Sequence, residues 1–394
     1  MIKIFSDLER NTCRLYVVLL FNFMLFGVSL TVISASVPQL IRTFDWSYTL
    51  TGLLLAVGSI GYFLSTFLCG FLVHHIAPKK ALLVGLVIEA VGLFFFARWS
   101  FYPMNLILIF FIGFGQGTME VVSNYEVIKI EKHGESRLMS LMHAFFCLGA
   151  IIGPVGVGGL IKSGMSWNLI FRIVGFLVVC MGISVSIVPF LKNEEGVDAE
   201  QKGRARVLVQ PLLLLFFFIL LLYVGSEFAV TNWISEYFVK VLQSSVTTGA
   251  FMVSVLWIGI FAGRLLISAI KWGIKQEFIL LFLTCCCTIF LFFTILYRNA
   301  AATAVFTFLT GFGYSGIYPV VMAMVGKNFK NGVAVGFAST GGGIGSFSFP
   351  FVTAIIADAV GLRKGLIFCI FVNAVMIGLS LIVMRKAEKY ETAS

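Results

Sequence analysis

From Pro211 to Trp233 the chain reads PLLLLFFFILLLYVGSEFAVTNW, an apolar run in which Glu227 is the only charge. About 20 predominantly apolar residues is the length at which a helix crosses the hydrocarbon core of a bilayer. In lipid every backbone polar group must be bonded inside the segment or in a closed barrel, and an unbroken apolar run without alternation selects the helix. Runs of this kind recur. They fall at about 15–37, 49–73, 81–97 and 105–128. A fifth contains His143 and ends near Ile161, and the sixth covers about 169–191. After 211–233 come runs at about 246–268, 278–297, 301–325, 333–356 and 366–384. Twelve spans of about 20 residues would occupy roughly 240 positions and leave little beyond short loops. The composition agrees, since 59% hydrophobic and 12% charged residues exclude an ordinary water-soluble domain. The first run is too long for a signal-peptide core and is followed by many more, so it is expected to stay as a helix.

A net charge of +10 would point to nucleic acid in a soluble protein. Here the Lys and Arg residues are unevenly placed. With both termini in the cytoplasm, most of the 28 fall in the inner segments, which is the positive-inside bias. No basic run with interleaved aromatics lies outside the apolar segments, so no nucleic-acid partner is expected. The eight cysteines sit almost wholly in apolar runs, including Cys285-Cys286-Cys287, and none has zinc or disulfide spacing. No metal site and no cofactor are expected. No Ser/His/Asp, paired-cysteine or phosphate-loop pattern supports an enzyme.

The stretch Gly113–Pro154 places Glu120, Asn124 and His143 in otherwise apolar sequence. A carboxylate near the middle of a span costs about 2.5–3.5 kcal/mol on insertion scales, so it is retained where it meets a watery cavity or a partner. Gln116, Glu120 and Asn124 recur every four residues and share one helical face. That stripe reads as one wall of a substrate path. Glu120 is the candidate proton-coupling group, while Gln116 and Asn124 offer amide donors and acceptors suited to hydroxyls. His143 and Glu227 are further candidates, as are Thr31 and Ser34 in the first span. Trp233, Trp257, Tyr314 and Tyr318 could form an apolar shelf for a ring. Pro319 should free a carbonyl and bend the tenth span. Glu89 in the third span reads as a structural hydrogen-bonding group, and Arg264 as an anchor at the inner end of the eighth.

The charged segment KNEEGVDAEQKGRARVLVQ divides the chain into an N-terminal half, 1–191, a cytoplasmic linker, 192–210, and a C-terminal half, 211–394. Features recur between the halves. Gly113-Phe114-Gly115 is echoed by Gly311-Phe312-Gly313, and Gly149 with Pro154 by Gly345 with Pro350. Two six-helix halves related by an axis along the membrane normal would give this pattern.

These features resemble the major facilitator superfamily, and in finer detail its fucose/proton symporter and sugar permease branch. The likeness covers nearly the whole chain. Glu120–Asn124 is similar to that branch's Glu-Thr-Ala-Ala-Asn pattern, and Tyr223-Val224-Gly225-Ser226 to its Tyr-Val-Gly-Ala. Tyr318-Pro319, Gly341-Gly342-Gly343-Ile344 and the sequence around His143 are also as in the branch. Two departures stand out. Ser34 occupies the place of an aspartate linked in the fucose symporter to proton coupling and sugar binding. His74 replaces the aspartate of the superfamily's loop after the second span.

The resemblance implies an all-α integral membrane protein, twelve helices in two pseudo-symmetric halves. It implies a cavity lined by spans 1, 4, 5, 7, 8, 10 and 11. It further implies a secondary transporter, expected as a monomer in the cytoplasmic (inner) membrane, that moves a monosaccharide or similar polar solute with protons or another ion. Two other readings stand beside it. One is an exporter of a metabolite, drug or metal-chelating molecule; the other is a membrane sensor that binds without transporting.

Overall fold

The computed structural model describes residues 9–72, 77–130, 137–191, 210–269, 275–329 and 332–392. The charged linker, at 192–209, and His74 lie outside them. The described chain is helical throughout. Helices α1 (Arg10–Phe44), α2 (Tyr48–Leu72), α3 (Pro78–Phe95), α4 (Tyr102–Ile130), α5 (Arg137–Lys162) and α6 (Leu169–Ile187) precede the linker. After it come α7 (Pro211–Glu236), α8 (Val246–Ala269), α9 (Gln276–Leu296), α10 (Ala300–Tyr314), α11 (Ile317–Phe329), α12 (Gly332–Val360) and α13 (Leu362–Thr392). Helix α7 continues into a π-helical turn, Tyr237–Val241.

Among the described residues, 11 segments are long and apolar enough to cross a membrane, with α10 and α11 counted together as one. The twelfth is α3. Its 18 residues leave no stretch of span length free of Lys79, Lys80 and Glu89, although its length is that of a span. Helix α3 begins at Pro78, whose missing N–H costs nothing in the first turn. Helix α1 is longer than expected and runs through Pro38 to Phe44. The carbonyl that Pro38 leaves unbonded is tolerated where neighbouring groups can satisfy it.

By contact the chain resolves into two compact units. One comprises Met1–Ser36 and Val57–Val197, the other Val37–Ala56 and Asp198–Ser394. The end of α1 and the start of α2 thus group with the C-terminal helices. Within that second unit, the Asp358 carboxylate of α12 accepts the first free N–H groups of α2, from Tyr48 (2.9 Å) and Thr49 (2.6 Å). The Tyr48 hydroxyl donates to Glu236 (3.2 Å), and its ring stands edge-on to Trp233.

The internal repeat has a physical basis in helix crossings. In the first unit, a side chain at Gly113 would overlap the Gly58 carbonyl of α2, and one at Gly149 the Met24 carbonyl of α1. In the second unit, Gly311 meets the Leu256 carbonyl of α8 in the same way, and Gly345 the Leu221 carbonyl of α7. The paired glycines therefore mark matching crossings at which two backbones touch.

The tenth span is interrupted. Helix α10 ends at Tyr314 and α11 starts at Ile317. Pro319 cannot donate to the carbonyl four residues before it, that of Ser315. Arg264 of α8 takes that acceptor instead, through Nε at 3.3 Å. Arg264, near the end of α8, is thus tied to the C-cap residue of α10 at the break in the span.

Candidate functional site

In the first unit, α4 carries Gln116, Glu120 and Asn124 on one face, and the structure gives them different fates. Glu120 and Asn124 are partly exposed. The Glu120 carboxylate accepts a hydrogen bond from Tyr62 of α2. Tyr62 is stacked on Phe26 of α1, whose ring packs on Phe146 of α5. About one turn earlier on α1, Phe23 meets His143 edge-to-face, with centroids 5.0 Å apart. Asn22 donates to Ser123 of α4 (2.9 Å). Glu120, Tyr62, Phe26, Phe23 and His143 therefore form a connected cluster in which a partly exposed carboxylate, phenol and imidazole are backed by two buried Phe rings. Such a cluster can hold a small polar molecule between hydrogen-bonding groups and ring faces.

Gln116 is buried and turned away from that cluster. Its Nε2 donates to Ser29 of α1 (2.9 Å), and the Ser29 hydroxyl donates to Glu89 of α3 (2.6 Å). Thr31 is fully buried and bonds back to the Gly27 carbonyl of its own helix (2.8 Å). It faces Gly153 of α5, where a Cβ would sit 2.8 Å from its oxygen, so it serves the α1–α5 crossing. Ser34 is buried as well.

In the second unit, Glu227 is almost completely buried, is hydrogen-bonded to Tyr223 one turn earlier, and lies in the field of Arg264. Tyr314, at the end of α10, is fully buried. Its hydroxyl pairs with Ser226 (2.6 Å) and accepts from Asn373 of α13 (3.2 Å). Trp233 is enclosed too, and its indole N–H donates to the Pro350 carbonyl (3.0 Å). Trp257 is buried beside these helices. Tyr318 is partly exposed, with its hydroxyl 3.3 Å from Ser339. An Arg and a Glu behind a broken span give this unit a polar interior in which Glu227, Tyr223, Tyr314, Ser226 and the Asn373 amide nitrogen are engaged, while Asn373 Oδ1 has no hydrogen-bond partner among the described residues.

Several partners had no signal in the sequence. Tyr62, Ser29 and Ser123 are ordinary residues in apolar runs until the helices assemble. Arg264 could have been linked to Pro319, because a freed carbonyl needs a donor. Among the described residues no cluster of His, Cys, Asp or Glu could hold a metal ion.

A helical membrane protein built of two six-helix repeats, each with a polar interior, is by class a solute transporter. The sequence pattern of the Major Facilitator Superfamily matches residues 19–350, and the chain belongs to that family. It is 24% identical over 347 residues to the glucose/mannose transporter of Bacillus subtilis, covering 81% of this chain and 83% of that one. It is 24% identical over 365 residues to the glucose/galactose transporter of Brucella abortus, covering 86% and 87%. Among solved structures, the nucleoside transporter NupG superposes with a TM-score of 0.79 at 14% identity, covering 95% of this chain and all of that one. The E. coli fucose:proton symporter superposes at 0.66 with 18% identity, covering 95% and 99%. These likenesses fix the fold. Members of the family are transporters, and alternating access is typical of them.

Proposed function

We propose that this protein is a secondary active transporter that takes up a monosaccharide by alternating access, coupled to protons. The observation that carries this reading is the partly exposed Glu120 carboxylate held by Tyr62, whose ring is joined through Phe26 and Phe23 to His143. A carboxylate accepts bonds from adjacent hydroxyls, and an aromatic face packs on the C–H face of a sugar ring. The glucose transporters among the relatives support the same class of solute. Glu120 is the group that exchanges the coupling proton. Asn124 and His143 are the solute contacts of the first unit, and the partly exposed Tyr318 is the candidate of the second, while Glu227, enclosed against Tyr223 and in the field of Arg264, acts from behind the lining. Gln116, Thr31, Ser34, Trp233 and Tyr314 act through the shape of the lining, because their polar atoms are enclosed.

The transporter sits in the cytoplasmic membrane with both termini inside, as a monomer. Residues 1–191 and 211–394 form its two halves, 192–210 links them, and it requires no cofactor beyond the coupling ion. The test is uptake of a labelled monosaccharide panel into proteoliposomes, with and without an inward proton gradient. Gradient-dependent accumulation that is lost in Glu120→Gln, with counterflow retained, is the expected result. Equal accumulation by wild type and Glu120→Gln refutes the role of Glu120. Absence of any sugar movement refutes the solute class.

A further inference from the structure

We propose that Glu89 is a second proton-binding site, placed behind the cavity wall, whose protonation resets the side chain of Gln116. This rests on the reading of the chain as an ion-driven transporter.

Glu89 lies in the interior of α3 and is fully buried. Its Oε1 accepts from Ser29 (2.6 Å), whereas Oε2 has no partner among the described residues. Among the described residues no charged side chain bears on it. Helix α1 presents Ser29, and its own ionisable residues Arg10, Cys13, Arg14, Tyr16 and Arg42 lie toward its ends. Helix α4 presents Gln116 and Gly115, whose Cα packs directly on Glu89. The nearest ionisable group on α4 is Glu120, one turn beyond Gln116. Helix α6 meets α3 through Gly175 against Leu93 and Phe94, and its Arg172 is committed to the Asn168 carbonyl. Its Cys180 is a partly exposed thiol. An ionised carboxylate would thus rest on one neutral donor in a buried place with no cation, an arrangement that costs several kcal/mol.

Packing does not demand an acid here. The matching crossing of the second unit places Gly313 of α10 against Cys287 of α9, just as Gly115 of α4 lies against Glu89 of α3. The thiol fills that position with no carboxylate at all. A group that is costly and dispensable to the crossing is explained by what it can do, which is to bind and release a proton.

The polarity of the chain of hydrogen bonds makes that proton consequential. Ser29 has one proton. With Glu89 accepting it, Ser29 can only accept from Gln116, and the amide must present Nε2, as observed. With a proton on Oε1, Glu89 can donate to Ser29, whose own proton then seeks an acceptor. The Gln116 amide satisfies it by turning over to present Oε1. Gln116 is one turn from Glu120, so the state of Glu89 is registered at the wall where solute binds.

The test uses the purified full-length protein and a readout that does not need a solute. Infrared difference spectra between roughly pH 5 and pH 10 detect carboxyl groups that titrate in that range. Wild type is expected to show a titrating carboxyl band with a component missing in Glu89→Gln and retained in Glu120→Gln. Glu89→Asp should move that component without abolishing it, which separates loss of the acid from loss of the fold. Spectra of Glu89→Gln identical to wild type overturn the proposal. In proteoliposomes with D-glucose as probe, Glu89→Gln should retain counterflow and lose accumulation driven by the proton gradient. Wild-type accumulation by Glu89→Gln also overturns it. If wild type moves no glucose, the solute reading fails alone, because the infrared result still decides Glu89.

Discussion

Replacing Asp358 tests how the start of α2 is held to the second unit. The carboxylate accepts two N–H groups from the first turn of α2, at 2.9 and 2.6 Å, where a helix carries its unsatisfied donors and positive end. A negative charge at an exposed N-terminus contributes about 0.3–1 kcal/mol, and hydrogen bonds to a charged group about 1.5–3 kcal/mol before screening. Asp358 is exposed, so the lower part of that range applies, and Asp358→Ala should cost about 1–2 kcal/mol. That corresponds to roughly a 5- to 30-fold rise in the local opening equilibrium. Asp358→Asn keeps one acceptor and loses the charge, and should give about half the free-energy effect. Hydrogen–deuterium exchange read by mass spectrometry on peptides covering Tyr48 and Thr49 reports this directly, with a peptide from α9 as internal control. Unchanged exchange at Tyr48 and Thr49 in Asp358→Ala would refute the assignment of Asp358 as the cap.

Tyr314→Phe should leave Ser226 and Asn373 without their shared partner, costing about 1–3 kcal/mol and lowering the melting temperature in detergent. An unchanged melt would show that the two groups find other partners. Tyr62→Phe removes the donor to Glu120 while keeping the ring on Phe26; uptake should fall with the fold intact by size-exclusion profile. Pro319→Ala restores an N–H for the Ser315 carbonyl, so the Arg264 bond becomes redundant, and added Arg264→Gln should then cost less than it does alone. Additive effects of those two substitutions on thermal stability would sever the link. Gly149→Val should abolish a monodisperse product, since its side chain would overlap the Met24 carbonyl, whereas Gly182→Val should leave it unchanged.

The spans, the repeat and the break at Pro319 were legible because each depends on local chemistry. Apolar length, glycine spacing and a missing N–H act within one helix or one crossing. The contents of the polar interior were not. The period of α4 correctly aligns Gln116, Glu120 and Asn124, but a period states only which residues share a face. Whether Gln116 meets water or Ser29 depends on where α1 and α3 stand. Glu89 reads as a structural hydrogen-bonding group from the sequence, and the Ser29 bond is there; its burial without a cation emerges only with the neighbours in place. The place of Asp358 was equally hidden, because its partners are main-chain atoms some 310 residues away in sequence.

The glycine crossings have a consequence for how this chain can vary. It carries 39 glycines, and the surroundings of those described range from open space to direct contact with another helix's backbone. At Gly159, Gly182, Gly326, Gly336 and Gly378 a side chain would enter open space, whereas at Gly113, Gly149, Gly311 and Gly345 it would strike another helix's carbonyl. A library substituting every glycine in turn, sorted only by surviving protein, would therefore trace the helix crossings. Some intolerant positions would fall in pairs, Gly61 with Gly259, Gly113 with Gly311 and Gly149 with Gly345, and these would report the duplicated plan of the molecule from growth or expression alone.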